Sequence, residues 1–183
     1  MNPPAEVLLV GANPIVRLFD GDRPTVFASV WRVDWSTRGS GAAVVLWHAD
    51  RVRVLGTDEA LAAWLAEDFT RHFPEAAGLA WDASPVEITD IDLRLDLDKG
   101  LSVTAADVRV DIAEVLARRA FATDSFALNG VAHGLSLVLA PAARASVVID
   151  GRAVPGEVRV TDDPDRPASS AFLTGAEVWT RPR

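Results

Sequence analysis

The sequence predicts a mainly β fold, an antiparallel barrel or two-sheet sandwich of about ten strands, with an amphipathic helix over 57–73 and a second, short helix over 111–121. Three observations lead there. Over 86–110 apolar and polar residues alternate for most of the stretch, with Ile91, Leu93, Leu95 and Leu97 on one side and Asp92, Arg94, Asp96 and Asp98 on the other. Most of the remaining chain is short apolar runs stopped by Gly, Pro, Asn or Asp. The clearest repeat of apolar residues at the three-and-four spacing of a helix lying on a sheet begins at Thr57.

In chain order, 7–10 and 15–19 read as strands parted by Gly11-Ala12-Asn13-Pro14, and the second stops at Asp20-Gly21-Asp22-Arg23-Pro24. A longer strand over 25–35 places Phe27, Ser29, Trp31, Val33 and Trp35 on one face, which its aromatic rings mark as the buried one. Strands over 42–48 and 51–55, joined by a tight turn at Ala49-Asp50, complete a meander. Thr57 is expected to cap the helix, with Asp58 and Glu59 at the positive end of its dipole. Leu61, Trp64, Leu65, Phe69 and Phe73 form the apolar stripe, and Pro74 ends it.

After a connector over 75–85, a hairpin follows, in which Asp98-Lys99-Gly100 would set Leu97 opposite Leu101 and Leu95 opposite Val103. Val86 and Ile88 are out of phase with Ile91 onward, and Val108 and Val110 are out of phase with Val103 and Ala105. Those phase changes predict either bulges near Thr89-Asp90 and Ala105-Ala106, which would bend the strands toward a barrel, or strands that end and restart there. Asp111 and Glu114 have the spacing of a capping box, and Ile112, Val115, Leu116 and Arg119 suit a helical face, hence the second helix. Beyond it, 126–139 reads as a strand broken or bent at Gly130 and Gly134. Strands over 146–149, 157–161 and 171–179 then make a second meander around an exposed acidic loop at 162–167.

A chain of 183 residues without a linker-like tract is expected to form a single domain over 1–183. With 26 acidic and 18 basic residues, a net charge of -8 and no basic stripe, nucleic acid is not an expected partner. The lack of cysteine removes disulfides, a thiol nucleophile and thiolate-bound metals. No signal-like segment opens the chain and no apolar run is long enough for a bilayer, so a cytoplasmic protein without a membrane partner is expected. His48, His72 and His133 form no metal motif, and the hairpin aspartates lack a calcium loop. Neither a metal nor a cofactor is expected, and no Gly-x-Ser-x-Gly elbow supports a serine hydrolase.

Two sets of residues remain as site candidates. His48 and Asp50 put an imidazole two residues from a carboxylate at a strand end, and His133 lies between Gly130 and Gly134, where a backbone can approach a ligand. These are the candidate catalytic groups. Trp31, Trp35 and Trp47 fall on neighbouring strands and are the candidate lining of an apolar ligand site. His48 facing Ser29 in the next strand would join the two sets. The expected function is binding of an apolar small molecule, with cofactor-free acid-base chemistry of an isomerase, cyclase or dehydratase as an extension. The alternative is a non-enzymatic protein-interaction domain whose tryptophans are only core. A ligand-sized cavity separates the two readings.

Overall fold

Alternating side chains resolve into more strands than the sequence suggests, because several runs that look single are hairpins. In the computed structural model, which describes residues 4–82 and 84–181, the strands are β1 (Glu6–Ala12), β2 (Ile15–Asp20), β3 (Arg23–Ser36), β4 (Gly41–His48), β5 (Arg51–Gly56), β6 (Glu87–Ile88) and β7 (Ile91–Asp96). They continue as β8 (Gly100–Ala105), β9 (Val108–Val115), β10 (Arg119–Leu128), β11 (Val131–Ile149), β12 (Arg152–Ala153) and β13 (Ala171–Arg181). All belong to one sheet whose main path runs β6-β5-β4-β3-β1-β13-β11-β9-β8-β7. Every pairing is antiparallel except that of β5 with β6. The two ends of this path do not pair with each other among the described residues, and pairing is continuous from β6 to β7.

Burial on both faces follows from β3. Phe27, Trp31 and Val33 enter one core, while Val26, Ala28 and Val30 enter a second core behind the sheet. The helix α1 (59–72) covers the first face through buried Leu61, Leu65 and Phe69, with Trp64 half-buried beside them. Its cap is Asp58, whose carboxylate accepts the Leu61 N–H at 2.8 Å, while Thr57 turns its hydroxyl to the Ala42 N–H at 3.0 Å. The cap thus lies one residue beyond the expected Thr57. The second face is covered by β7, β8 and β9, which supply Leu101, Val103, Val110 and Ile112. β11 carries the sheet from one layer to the other: residues 131–141 pair with β10 and β13, and residues 142–149 pair with β9.

Several expectations are corrected by this arrangement. Leu95 stands opposite Leu101 and Leu93 opposite Val103, so the hairpin loop is 97–99 and the register is shifted by two residues, which leaves the faces unchanged. Gly100 is required there at φ 135°, since a Cβ would lie 2.0 Å from the Ile112 carbonyl oxygen. The phase change at Thr89-Asp90 is not a bulge but the gap between β6 and β7, which occupy opposite ends of the sheet. That at Ala105-Ala106 is a two-residue turn, with Ala105 paired to Val108 and Ala106 at φ 50°.

The segment expected as a helix over 111–121 is instead the end of β9 and the start of β10, joined by a short connection at 116–118. Ile112 continues the alternation of Val108 and Val110, and it is paired on both sides, to Leu101 and Ala145, so ladder bonds and core contacts outweigh a capping-box spacing. Asn129-Gly130, with φ 49° and 77°, is a hairpin turn between β10 and β11 rather than a bend in one strand. Residues 157–161 form isolated bridges only, Glu157 to Phe19 and Val160 to Ser169.

Arg53 on β5 ties the two layers at their edge. Its guanidinium meets Glu87 of β6 at 2.9 Å and Asp107, in the β8–β9 turn, at 2.7 Å. Hydrogen bonding to Arg53 holds the Asp107 carboxyl below the usual carboxylate range. No helix among the described residues is long and apolar enough to cross a membrane.

Candidate functional site

The site is built by a change of phase inside β13. Ala171 and Leu173 point into the second core, so Phe172 and Thr174 point to the helix side. Strict alternation would send Glu177 and Trp179 the other way, beside Leu173. Instead Val138 of β11 pairs with Gly175 and Ser136 pairs with Val178, which leaves Ala176 and Glu177 together opposite the single residue Leu137. Ala176 takes φ 47° to make that bulge. Glu177 and Trp179 are thereby turned onto the same side as Phe172 and Thr174, with Trp179 edge-on to Phe69 of the helix at 5.2 Å between ring centroids.

There the structure leaves a cavity of about 240 Å³. Ile15, Phe126, Leu135, Leu137, Leu139 and Phe172 form its walls, and Phe73 closes it on the helix side. Asn13, Thr174, Glu177 and Trp179, all nearly inaccessible to solvent, lie at its inner end. Glu75, Arg119, Phe121 and Ser169 stand at its mouth.

The inner end is a connected set of hydrogen bonds. Trp179 Nε1 donates to Glu177 Oε1 at 2.6 Å, and the Thr174 hydroxyl donates to Glu177 Oε2 at 2.6 Å. The Asn13 N–H donates to Thr174 Oγ1 at 2.6 Å. The Asn13 amide in turn donates to Ser29 Oγ and to the Val30 carbonyl, each at 2.9 Å, and Ser29 contacts Thr70 Oγ1 at 3.3 Å. Trp31 Nε1 donates to that same Thr70 oxygen at 3.0 Å. The polar spine therefore crosses from the cavity through β3 to the helix, and it explains why Ser29 sits in the aromatic face of β3.

Burial pushes the Glu177 carboxyl above the ordinary glutamate value, against the downward pull of Thr174, Trp179 and the Asn13 N–H. It keeps its proton to higher pH than a solvated glutamate. A hydroxyl both donates and accepts, so the Thr174 contact survives in either protonation state of Glu177. The arrangement offers a cavity ligand an apolar wall and one carboxyl group able to give or receive a proton. At the mouth, burial also raises the Glu75 carboxyl, with Arg17 opposing the shift.

No family model, no curated protein and no solved structure matches this chain.

None of the six sequence-derived candidates lines this cavity. Trp31 is fully buried core, packed against Phe69 and Phe73 at 5.6 and 6.0 Å between ring centroids. Trp35 is 51% exposed. In the pairing of β3 with β1, Val10 meets Trp35 and Gly11 meets Val33, so Asp34 is an extra residue that flips Trp35 off the Trp31 face. Trp47, His48 and Asp50 do come together, on a separate and larger crevice of about 540 Å³ shared with Asp20 and Arg23. His48 pairs with Val26 and not with Ser29, whose partner is Val45. Asp50, at φ 60° in the turn, is exposed. His133 is buried elsewhere, its Nδ1 2.9 Å from the Val131 carbonyl oxygen. Glu177 escaped the sequence reading because alternation cannot foresee a bulge. The one signal was Gly175 within an apolar strand, beside Thr174 and Glu177.

Proposed function

We propose that the protein binds an apolar small molecule carrying one carbonyl or hydroxyl group, with the apolar body between β10, β11 and β13 and the polar group against Glu177. The observation that carries this reading is a buried, hydrogen-bonded carboxyl at the closed end of an apolar cavity. Filling the space with side chains would stabilise a purely structural core, since cavities and buried carboxyls both lower stability. A cavity of about 240 Å³ exceeds the roughly 150 Å³ apolar cavity that accepts benzene. The cavity supports ligand binding over the interaction-domain alternative. A second reading, proton transfer without a cofactor, is favoured by the same carboxyl, because a raised value suits a group that donates a proton to a carbonyl oxygen and takes one back from carbon.

Calorimetric titration with octan-2-one and octan-2-ol tests the binding reading. Saturable binding is expected to the native protein and not to Leu137→Trp, whose indole fills the cavity from the half-exposed wall residue of β11 while leaving the melting temperature close to native. Equal binding by both proteins, or by neither, contradicts the proposal.

A further inference from the structure

The mouth of the cavity carries a feature that an uncharged ligand would leave unused. Arg17 on β2 and Arg119 on β10 are both half-buried, and neither is ion-paired among the described residues. Arg17 Nη1 donates to the Glu75 backbone carbonyl at 3.2 Å, and its buried Nε has no partner. Arg119 Nη1 donates to the Pro167 carbonyl at 2.6 Å. The same short segment holds both: Arg17 N–H donates to the Ser170 carbonyl at 2.8 Å, and Ser170 Oγ donates back to the Arg17 carbonyl at 2.8 Å. Arg119 lines the cavity itself, and Arg17 lines an adjoining hollow that shares Glu75, Ala168, Ser169 and Phe172 with it.

The charge at this rim runs against the rest of the molecule. The chain has a net charge of -8, yet Glu75 is the one acidic side chain on the rim against the two guanidinium groups. The third arginine nearby, Arg159, is occupied by Asp22 at 3.0 Å. A guanidinium with unused N–H groups beside an apolar opening is suited to a carboxylate, which it can hold by two parallel charge-assisted bonds. Arg17 is attracted by Glu75 and lies over the Phe19 ring at 5.1 Å, but neither arginine has a carboxylate in ion-pair contact among the described residues, and a bound anion would offset part of their desolvation cost.

We infer that the ligand is an amphiphilic monocarboxylate, its carboxylate held at the mouth by Arg17 and Arg119 and its apolar chain running inward to Glu177. This rests on the cavity reading above and adds the charge of the ligand. It also accounts for the two-ended polarity of the site, a proton-bearing group inside and a cationic rim outside, with apolar walls between.

The test compares 7-oxooctanoate with octan-2-one, which has the same methyl ketone and chain but a methyl group in place of the carboxylate. The native protein is expected to bind 7-oxooctanoate about tenfold or more tightly than octan-2-one, a difference that added salt reduces. Arg119→Gln and Arg17→Gln, each with an unchanged circular dichroism spectrum, are expected to abolish most of that preference, and Arg17→Gln, which lies outside the ketone cavity, is expected to leave octan-2-one affinity intact. Equal affinity of the two ligands for the native protein overturns the anionic inference while leaving the cavity reading standing. Binding of neither overturns both. Variants that lose both ligands alike would show that the arginines only shape the rim, and that also overturns it.

Discussion

Trp31→Ala is expected to cost about 3–5 kcal/mol of stability, whereas Trp35→Ala, four residues along the same strand, is expected to change it by no more than about 0.5 kcal/mol. Trp31 is fully buried, packs against Phe69 and Phe73, and donates a hydrogen bond to Thr70. Removing it leaves a void under the helix and strands one end of the polar spine. Trp35 is 51% exposed and joins neither core. Denaturant midpoints of the two variants decide the matter, and equal shifts would show that the bulge at Asp34 is misplaced.

That pair of tryptophans also shows what was legible in the sequence. Side-chain period predicts the faces of a regular strand, so Phe27, Trp31 and Val33, or Leu93, Leu95 and Leu97, are correctly grouped. The helix and its stripe were equally legible, because three-and-four spacing between Gly56 and Pro74 admits few other readings. An extra residue within a strand erases the information, since everything after it changes sides. Asp34 does this to Trp35, and Ala176 does it to Glu177. The bulge at Asp34 has no unusual residue to flag it, and that at Ala176 has only the neighbouring Gly175. The two phase breaks that were visible, at Thr89-Asp90 and Ala105-Ala106, are a short connection between two strands that do not pair with each other and a turn. The candidate site lies where one unannounced bulge brings a charge inside, so a reading that searched strand ends and histidines missed it.

Glu177 carries the second large prediction. Glu177→Ala would strand the Trp179 N–H and the Thr174 hydroxyl inside an apolar space, at about 1–3 kcal/mol for each group. Glu177→Gln keeps an acceptor for Trp179 and a partner for Thr174, and it cannot lose a proton. Because burial raises the folded-state value of Glu177, its contribution is whole below the ordinary value of 4.5 and declines as pH rises through the folded value. The native protein should therefore lose about 1.4 kcal/mol relative to Glu177→Gln for each pH unit between those two values, and none beyond them. Parallel unfolding free energies across that range would contradict a raised Glu177. Stability that grows with pH relative to Glu177→Gln would give the shift the opposite sign.

A protonatable Glu177 at the inner end of a ligand cavity must titrate in a way that an apolar ketone alters. The most direct test is the carbon-13 shift of its side-chain carboxyl, assigned by comparison with Glu177→Gln and followed with pH in the presence and absence of octan-2-one. The expected midpoint lies above the ordinary glutamate value, and octan-2-one raises it further and saturably, because the bound ketone excludes water and accepts a hydrogen bond from the protonated carboxyl. A midpoint in the ordinary glutamate range that octan-2-one leaves unmoved would contradict it.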